Sequence, residues 1–308
     1  MPSFPTRSMG GIEWLLLVAL ALLWAASFLF GKVAVSEIPP LSVALGRVAL
    51  AALALNLILL ASGQRLPTTR AAWLAFLGMG LLNNALPFTL IFWGQTRIGA
   101  GLASILNATT PLWTVIVAHL LTTDEKMNAG KLLGVLLGIG GVAVLIGPSV
   151  LAGGGDDVPA MLVIVLAALS YALAGIFGRR FVVMGLVPLS VAAGQVTATT
   201  LIMLPPALLI EHPWALPAPG GTAVAALAGL ALASTALAYV IYFRLLATAG
   251  ATNLLLVTFL IPPGALGLGV LLLDEHLVQR HAAGLLLIGG GLAAIDGRLW
   301  RRLRRKPP

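Results

Sequence analysis

The sequence predicts an all-α polytopic membrane protein of about ten transmembrane helices, arranged as two five-helix repeats of inverted topology around a central cavity. Three observations carry this prediction. Of 308 residues, 59% are hydrophobic and 9% charged, far below the quarter that keeps a soluble domain wetted. The apolar residues come in runs of about twenty, the helical length that crosses a ~30 Å hydrocarbon layer, and show none of the ten-residue alternation of a membrane barrel. The second half of the chain then repeats the punctuation of the first.

Charged, Pro and Gly clusters divide the chain into spans near 13–31, 39–61, 72–94, 99–121, 129–147, 159–178, 187–210, 221–244, 251–273 and 281–297. The first run, Trp14 to Phe30, carries a loose Ala25-Ala26-Ser27 cleavage pattern. It is longer than a signal core of about 7–15 residues and reads as a retained span. Loops are short, which leaves no room for an inserted soluble domain. The expected organisation is a first repeat over 1–150, a Gly-rich linker over 151–157, a second repeat over 158–297 and a basic cytoplasmic tail over 298–308.

The repeat is visible residue by residue. Pro40-Leu41-Ser42-Val43-Ala44-Leu45-Gly46-Arg47-Val48 recurs as Pro188-Leu189-Ser190-Val191-Ala192-Ala193-Gly194-Gln195-Val196. Trp24 to Gly31 falls on Tyr171 to Gly178, and Gly99-Ala100 on Gly250-Ala251. Asn107 and Pro111 match Thr258 and Pro262, and Asp124-Glu125 matches Asp274-Glu275.

The net charge of +8 does not call for a nucleic-acid partner, because six basic residues sit in the stub from Arg298 to Lys306. Such a stub stays cytoplasmic against anionic lipid headgroups. With the N-terminus inside, the inner segments hold Arg7, Arg65, Arg70, Lys126, Lys131, Arg179, Arg180 and Arg244 besides the tail, and the outer loops only Lys32, Arg97 and Arg280. Both termini are therefore expected in the cytoplasm, in a bacterial inner membrane. Five helices per half is an odd number, so the second copy is inverted, the recurring plan of secondary transporters.

Leu23-Trp24-Ala25-Ala26-Ser27-Phe28, Pro87 to Gln95, Pro111 followed by Asp124-Glu125, and the glycine-rich fifth and tenth spans resemble the EamA-type drug/metabolite transporter superfamily. The resemblance covers nearly the whole chain and is strongest to the YddG-type aromatic amino-acid exporters. It implies a cavity lined by the third, fourth, eighth and ninth helices, with the first and sixth nearby, and it implies export.

The residues themselves suggest the lining. Trp24 and Tyr171 are repeat-related mid-span aromatics, readable as two cavity walls or as packing; Trp113 reads as packing. Asn83 and Asn84 align with Ser234 and Thr235, and Pro87-Phe88 with Ala238-Tyr239. Helical spacing puts Thr235, Tyr239 and Tyr242 on one face, and Pro87 leaves the Asn83 carbonyl without its helical donor. Interhelical bonding is the other use of such polar groups. Asn107 and Thr258 precede Pro111 and Pro262, which are kinks or hinges. The expected substrate-binding set is thus Trp24, Asn83, Asn84, Pro87, Phe88, Asn107, Tyr171, Thr235, Tyr239, Tyr242 and Thr258. Arg47, the deepest charge, is suited to a substrate carboxylate, to snorkelling or to capping carbonyls; its apolar neighbours favour a structural role. The glycines of Gly134-x-x-x-Gly138, Gly140-Gly141 and Gly289-Gly290-Gly291 fit close helix contact at a repeat or subunit interface.

Absences narrow the function. No Asp or Glu lies near the middle of a span, cysteine is missing, and there is no Walker A, zinc-hydrolase or serine-nucleophile motif. No enzyme, cofactor or metal is expected. The expectation is a facilitative exporter of amino acids and similar small amphipathic metabolites, working by alternating access as a monomer or weak homodimer. Proton-coupled export of other compounds and a non-transporting membrane scaffold are the alternatives; no filter sequence supports a channel.

Overall fold

A computed structural model describes residues 9–147, 157–254, 256–276 and 278–296, without the side chains of 251 and 252. The Gly-rich linker up to Asp156 and the basic tail lie outside the described residues. Ten helical rods follow one another: α1 (Gly11–Ala34), α2 (Pro40–Ala61), α3 (Arg70–Gln95), α4 (Ala100–Leu121), α5 (Ala129–Ile146), α6 (Val158–Val183), α7 (Pro188–Glu211), α8 (Gly221–Thr248), α9 (Ala251–Leu254 with Val257–Leu273) and α10 (Gln279–Asp296). The first eight are long and apolar enough to cross a membrane. In α9 the uninterrupted part is only Val257–Leu273, and α10 is diluted by Gln279, Arg280, His281 and Asp296 at its ends.

Local chemistry sets the boundaries. Pro40 and Pro188 open α2 and α7, where a missing N–H costs nothing. Thr69 and Asn128 accept from the backbone N–H of Ala72 and Lys131 and so cap α3 and α5. The outer surface carries large apolar side chains, Leu53 at 61% exposure, Leu120 at 70%, Leu271 at 78% and Leu286 at 76%. A surface of that kind belongs in lipid.

Helix neighbours obey a two-fold rule. α1 packs on α8 and α9, as α6 packs on α3 and α4; α2 meets α8 as α7 meets α3; and α2–α7, α4–α9 and α5–α10 pair helix with equivalent helix. Exchanging the five helices of one half for those of the other reproduces this list. The symmetry is incomplete. Among the described residues α4 also packs on α1 and α10, whereas α9 makes at most marginal contact with α6 and α5, and α1 touches α3 whereas α6 and α8 make at most marginal contact. The bundle is therefore tighter at the end where α4 begins, the end of Lys32, than at the end of Arg179 where α9 begins.

The α5–α10 seam is where the glycines act. A Cβ built on Gly134 would stand 2.5 Å from the carbonyl oxygen of Gly291, and one on Gly141 would stand 3.0 Å from that of Gly284. Backbones touch there, so this glycine contact lies between the repeats. Gly140, Gly289 and Gly290 face away from it.

Candidate functional site

Two π-helical segments occupy equivalent places in the repeats. Leu81–Ala85 in α3 holds Asn83 and Asn84; Gly229–Leu237 in α8 holds Ser234 and Thr235. In α3 the N–H of Leu86 reaches back five residues to the Leu81 carbonyl, just before Pro87, which has no N–H to give. The helix thus accommodates Pro87 by widening. Proline is not the general cause, since α8 has Ala238 at the matching position and a longer π segment.

The wide turns present polar side chains to the opposite half. On one side Arg47 (7% exposed) donates from Nε to the hydroxyl of Thr235 at 2.9 Å, and its guanidinium lies 3.8 Å over the Phe88 ring. Thr235 passes its own proton to the Leu230 carbonyl at 2.8 Å. On the equivalent side Gln195 Oε1 accepts from Asn83 Nδ2 at 3.1 Å and from Asn84 Nδ2 at 3.5 Å; Asn84 also donates to Thr199 Oγ1 at 3.2 Å. The Tyr239 hydroxyl donates to Asn84 Oδ1 at 3.2 Å. A third repeat-related pair flanks these, Ser234 donating to the Leu23 carbonyl at 2.6 Å and Ser170 to the Leu82 carbonyl at 2.7 Å.

These positions revise several expectations. Arg47 neither snorkels nor caps a carbonyl; it ends on a hydroxyl in the interior. The polar cluster draws on α2 and α7, through Arg47, Gln195 and Thr199, in place of α4 and α9. Thr235, Tyr239 and Tyr242 do not share one neighbour, because the π segment changes the angular phase before α8 resumes. Thr235 meets α2, Tyr239 meets α3, and the Tyr242 ring lies 5.8 Å from that of Trp24 on α1. Trp24 and Tyr171 consequently belong to different clusters, Trp24 with Tyr242 and Leu23, Tyr171 with Phe88 and Phe92.

Asn107 closes the first part of α4, ahead of a break at Ala108 and Thr109, and its Oδ1 is buried with no hydrogen-bond partner among the described residues. Pro111 sits in the first turn after that break. Thr258 is half-buried at the start of the long part of α9, and Pro262 lies buried inside that helix. Two apolar clefts open on the flanks. One of about 450 Å³ runs among α2, α3, α6 and α7, bordered by Thr89, Trp93 and Glu211; one of about 200 Å³ runs along α4, α5 and α6, beside Trp113. Neither reaches the polar cluster. Gln195 and Thr199 escaped the sequence reading, although the alignment of Gln195 with Arg47 was a signal for the first.

The two ends of the bundle differ in how charges are used. At the Lys32 end, Glu275 accepts from the N–H groups of Ala100 (2.5 Å) and Gly101 (3.0 Å), Glu211 from those of Leu41 (2.8 Å) and Ser42 (2.7 Å), and Glu37 from that of Gly220 (2.5 Å). Each carboxylate sits on the N-terminus of a helix in the other half, where the backbone dipole favours it. Lys32 donates to the carbonyls of Gln95 (2.7 Å) and Ile98 (3.0 Å) at the end of α3. At the Arg179 end, the exposed guanidinium of Arg179 pairs with Asp124 at 3.0 Å and with Glu125. The Asp124 carboxyl is held below the usual carboxylate range by its own backbone N–H, the Thr122 hydroxyl and Arg179.

A family model for the EamA-like transporter family matches residues 11–147 and 158–295, one unit in each half. The chain is 25% identical over 279 residues to the uncharacterized transporter YoaV of Bacillus subtilis (strain 168), covering 90% of this chain and 94% of that protein. It is 28% identical over 304 residues to a probable amino-acid metabolite efflux pump of Escherichia coli (strain K12), covering 94% and 97%. A solved crystal structure matches the fold with a TM-score of 0.66 at 20% identity, over 94% of this chain and 99% of that one. Two matched repeats, equivalent π segments and a family model that fits both halves make this chain a multi-pass membrane protein of the EamA-like transporter family.

Proposed function

We propose that the chain is a facilitative exporter of amino acids, aromatic ones included, and of similar small amphipathic metabolites, moving them by alternating access across a bacterial inner membrane. The observation that carries this reading is the polar cluster between the repeats. Asn83, Asn84, Gln195, Tyr239, Thr235 and Arg47 bring hydrogen-bonding groups of both halves together at mid-span, with Phe88, Tyr171 and the Trp24–Tyr242 pair beside them. Polar groups at that depth serve helix contact or a substrate path, and here they are matched across a pseudo-symmetry axis, as in carriers built from inverted repeats. The unequal ends supply a second support: two inverted halves that close one end and loosen the other describe one of two exchangeable states. The amino-acid range and the YddG-type assignment rest on the sequence resemblance and on the efflux-pump relative.

Coupling to an ion is not part of the proposal, because the carboxylates of the chain lie at helix ends and loops. In proteoliposomes, counterflow of labelled L-phenylalanine is expected with no imposed pH or sodium gradient and unchanged by a proton uncoupler. Flux that appears only when a proton gradient is imposed overturns the facilitative reading. Orientation is read separately in intact cells, where an impermeant thiol reagent should label Ala218→Cys and not Thr68→Cys.

A further inference from the structure

We propose that Arg47 and Tyr171 together bind the carboxylate of the transported molecule, so that the carrier selects carboxylates over the corresponding amines. This rests on the transporter reading above and deepens it. Arg47 is a buried cation in the middle of the bundle, and among the described residues no carboxylate pairs with it; both ion pairs there belong to Arg179. Its one hydrogen bond uses Nε. Nη1 and Nη2, the two nitrogens of the fork that matches a carboxylate, have no hydrogen-bond acceptor among the described residues. Tyr171 packs against the same cluster as Phe88, the ring that lies under the guanidinium at 3.8 Å. The Tyr239 hydroxyl is engaged by Asn84, whereas that of Tyr171 has no protein hydrogen-bond partner among the described residues. An uncompensated buried charge is costly, and the half-buried Tyr171 stands in the same cluster as the ring beneath that charge.

The repeat supplies an internal control. The pair equivalent to Arg47–Thr235 is Gln195–Asn84, which is neutral, with Gln195 Oε1 accepting from Asn83 and Asn84. The scaffold is therefore built without a charge at this position in its second copy. Beyond its bond to Thr235 and its contact with Phe88, Arg47 keeps two guanidinium nitrogens. One charged site in an otherwise two-fold frame holds a substrate by one end, leaving its side chain toward the aromatic rings.

The test compares L-phenylalanine, 3-phenylpropionate and phenethylamine in counterflow, which differ in whether the carboxylate is present. The wild type should exchange the first two and not the third. Tyr171→Phe, which removes a hydroxyl that no protein group uses, should raise the half-saturation concentration for L-phenylalanine by about tenfold, the usual size of a lost hydrogen bond to a charged group. Arg47→Gln should raise it further, and Arg47→Lys should recover part of the loss, because it keeps the charge without the fork. Equal exchange of phenethylamine and L-phenylalanine by the wild type overturns the carboxylate site while leaving transport intact. So does an unchanged half-saturation in Tyr171→Phe, which decides the matter even where the Arg47 variants fold poorly. A wild type that moves none of the three compounds removes the transporter reading and this proposal with it.

Discussion

The end of the bundle marked by Lys32 and the end marked by Arg179 are built from the same repeat, yet they are held differently. At the first, Glu37, Glu211 and Glu275 each cap a helix of the opposite half, and α4 leans on α1 and α10. At the second, α3 and α5 are capped by their own Thr69 and Asn128, and the halves are joined through the exposed Arg179 pairs. Capping carboxylates on backbone N–H groups contribute more than exposed ion pairs, so acidic residues at the two ends give unequal closure. Glu275 and its repeat mate Glu125 state the lesson most compactly: one sits on amides, the other on a solvated guanidinium.

The strongest way to break this comparison is to fix the closed end in place. A Cβ at Gly101 would lie 3.4 Å from the Cα of Leu266 on α9, within reach of disulfide geometry. In this cysteine-free chain, Gly101→Cys with Leu266→Cys should lose exchange on oxidation and regain it on reduction. Exchange that survives a complete cross-link shows that the Lys32 end need not open.

A smaller effect sharpens the energetic side. Glu275→Ala should destabilise the folded protein by about 1–2 kcal/mol, the cost of a lost cap, and Glu125→Ala by about 0–1 kcal/mol, the cost of an exposed pair. The melting midpoint in detergent reads both. Equal shifts would mean that the two ends are equally held.

The smallest effect concerns the aromatic rings at mid-span. Trp24 packs on Tyr242 at 5.8 Å, and such a contact is worth about 0.5–1.5 kcal/mol beyond burial, or roughly two- to tenfold in affinity. Trp24→Ala should weaken exchange of L-phenylalanine by that factor and leave L-alanine nearly unaffected. Equal losses for both would mark Trp24 as packing alone.

Much of this molecule was legible because a bilayer allows few answers. Ten apolar runs, broken at Pro40, Pro188 and the Asp-Glu pairs, give ten rods, and the matched motifs give two halves. Asn83, Asn84, Thr235 and Tyr239 were legible as candidates because polarity at that depth is conspicuous. Their partners were not, since Thr235 and Gln195 meet Arg47 and Asn83 only through tertiary packing. The π turns have no propensity signature, so the shared face of Thr235, Tyr239 and Tyr242 was drawn with the wrong phase. Arg47 was given a structural role from its sequence neighbours; the groups it meets, Thr235 and Phe88, come from α8 and α3 and could not be read from those neighbours.

The separation of Arg47 from its partner also bears on how the protein is made. Thr235 lies 188 residues further along the chain, so at about 5–20 residues per second it is synthesised on the order of 10–40 s after Arg47. During that interval α2 must enter the bilayer with a guanidinium about two turns inside it, at a cost of at most about 2.5–3.5 kcal/mol, the value at a helix centre, carried by the remaining apolar residues of the helix. The first five helices therefore wait in the membrane incomplete, and the arrival of α8 is the event that gives the arginine its hydroxyl.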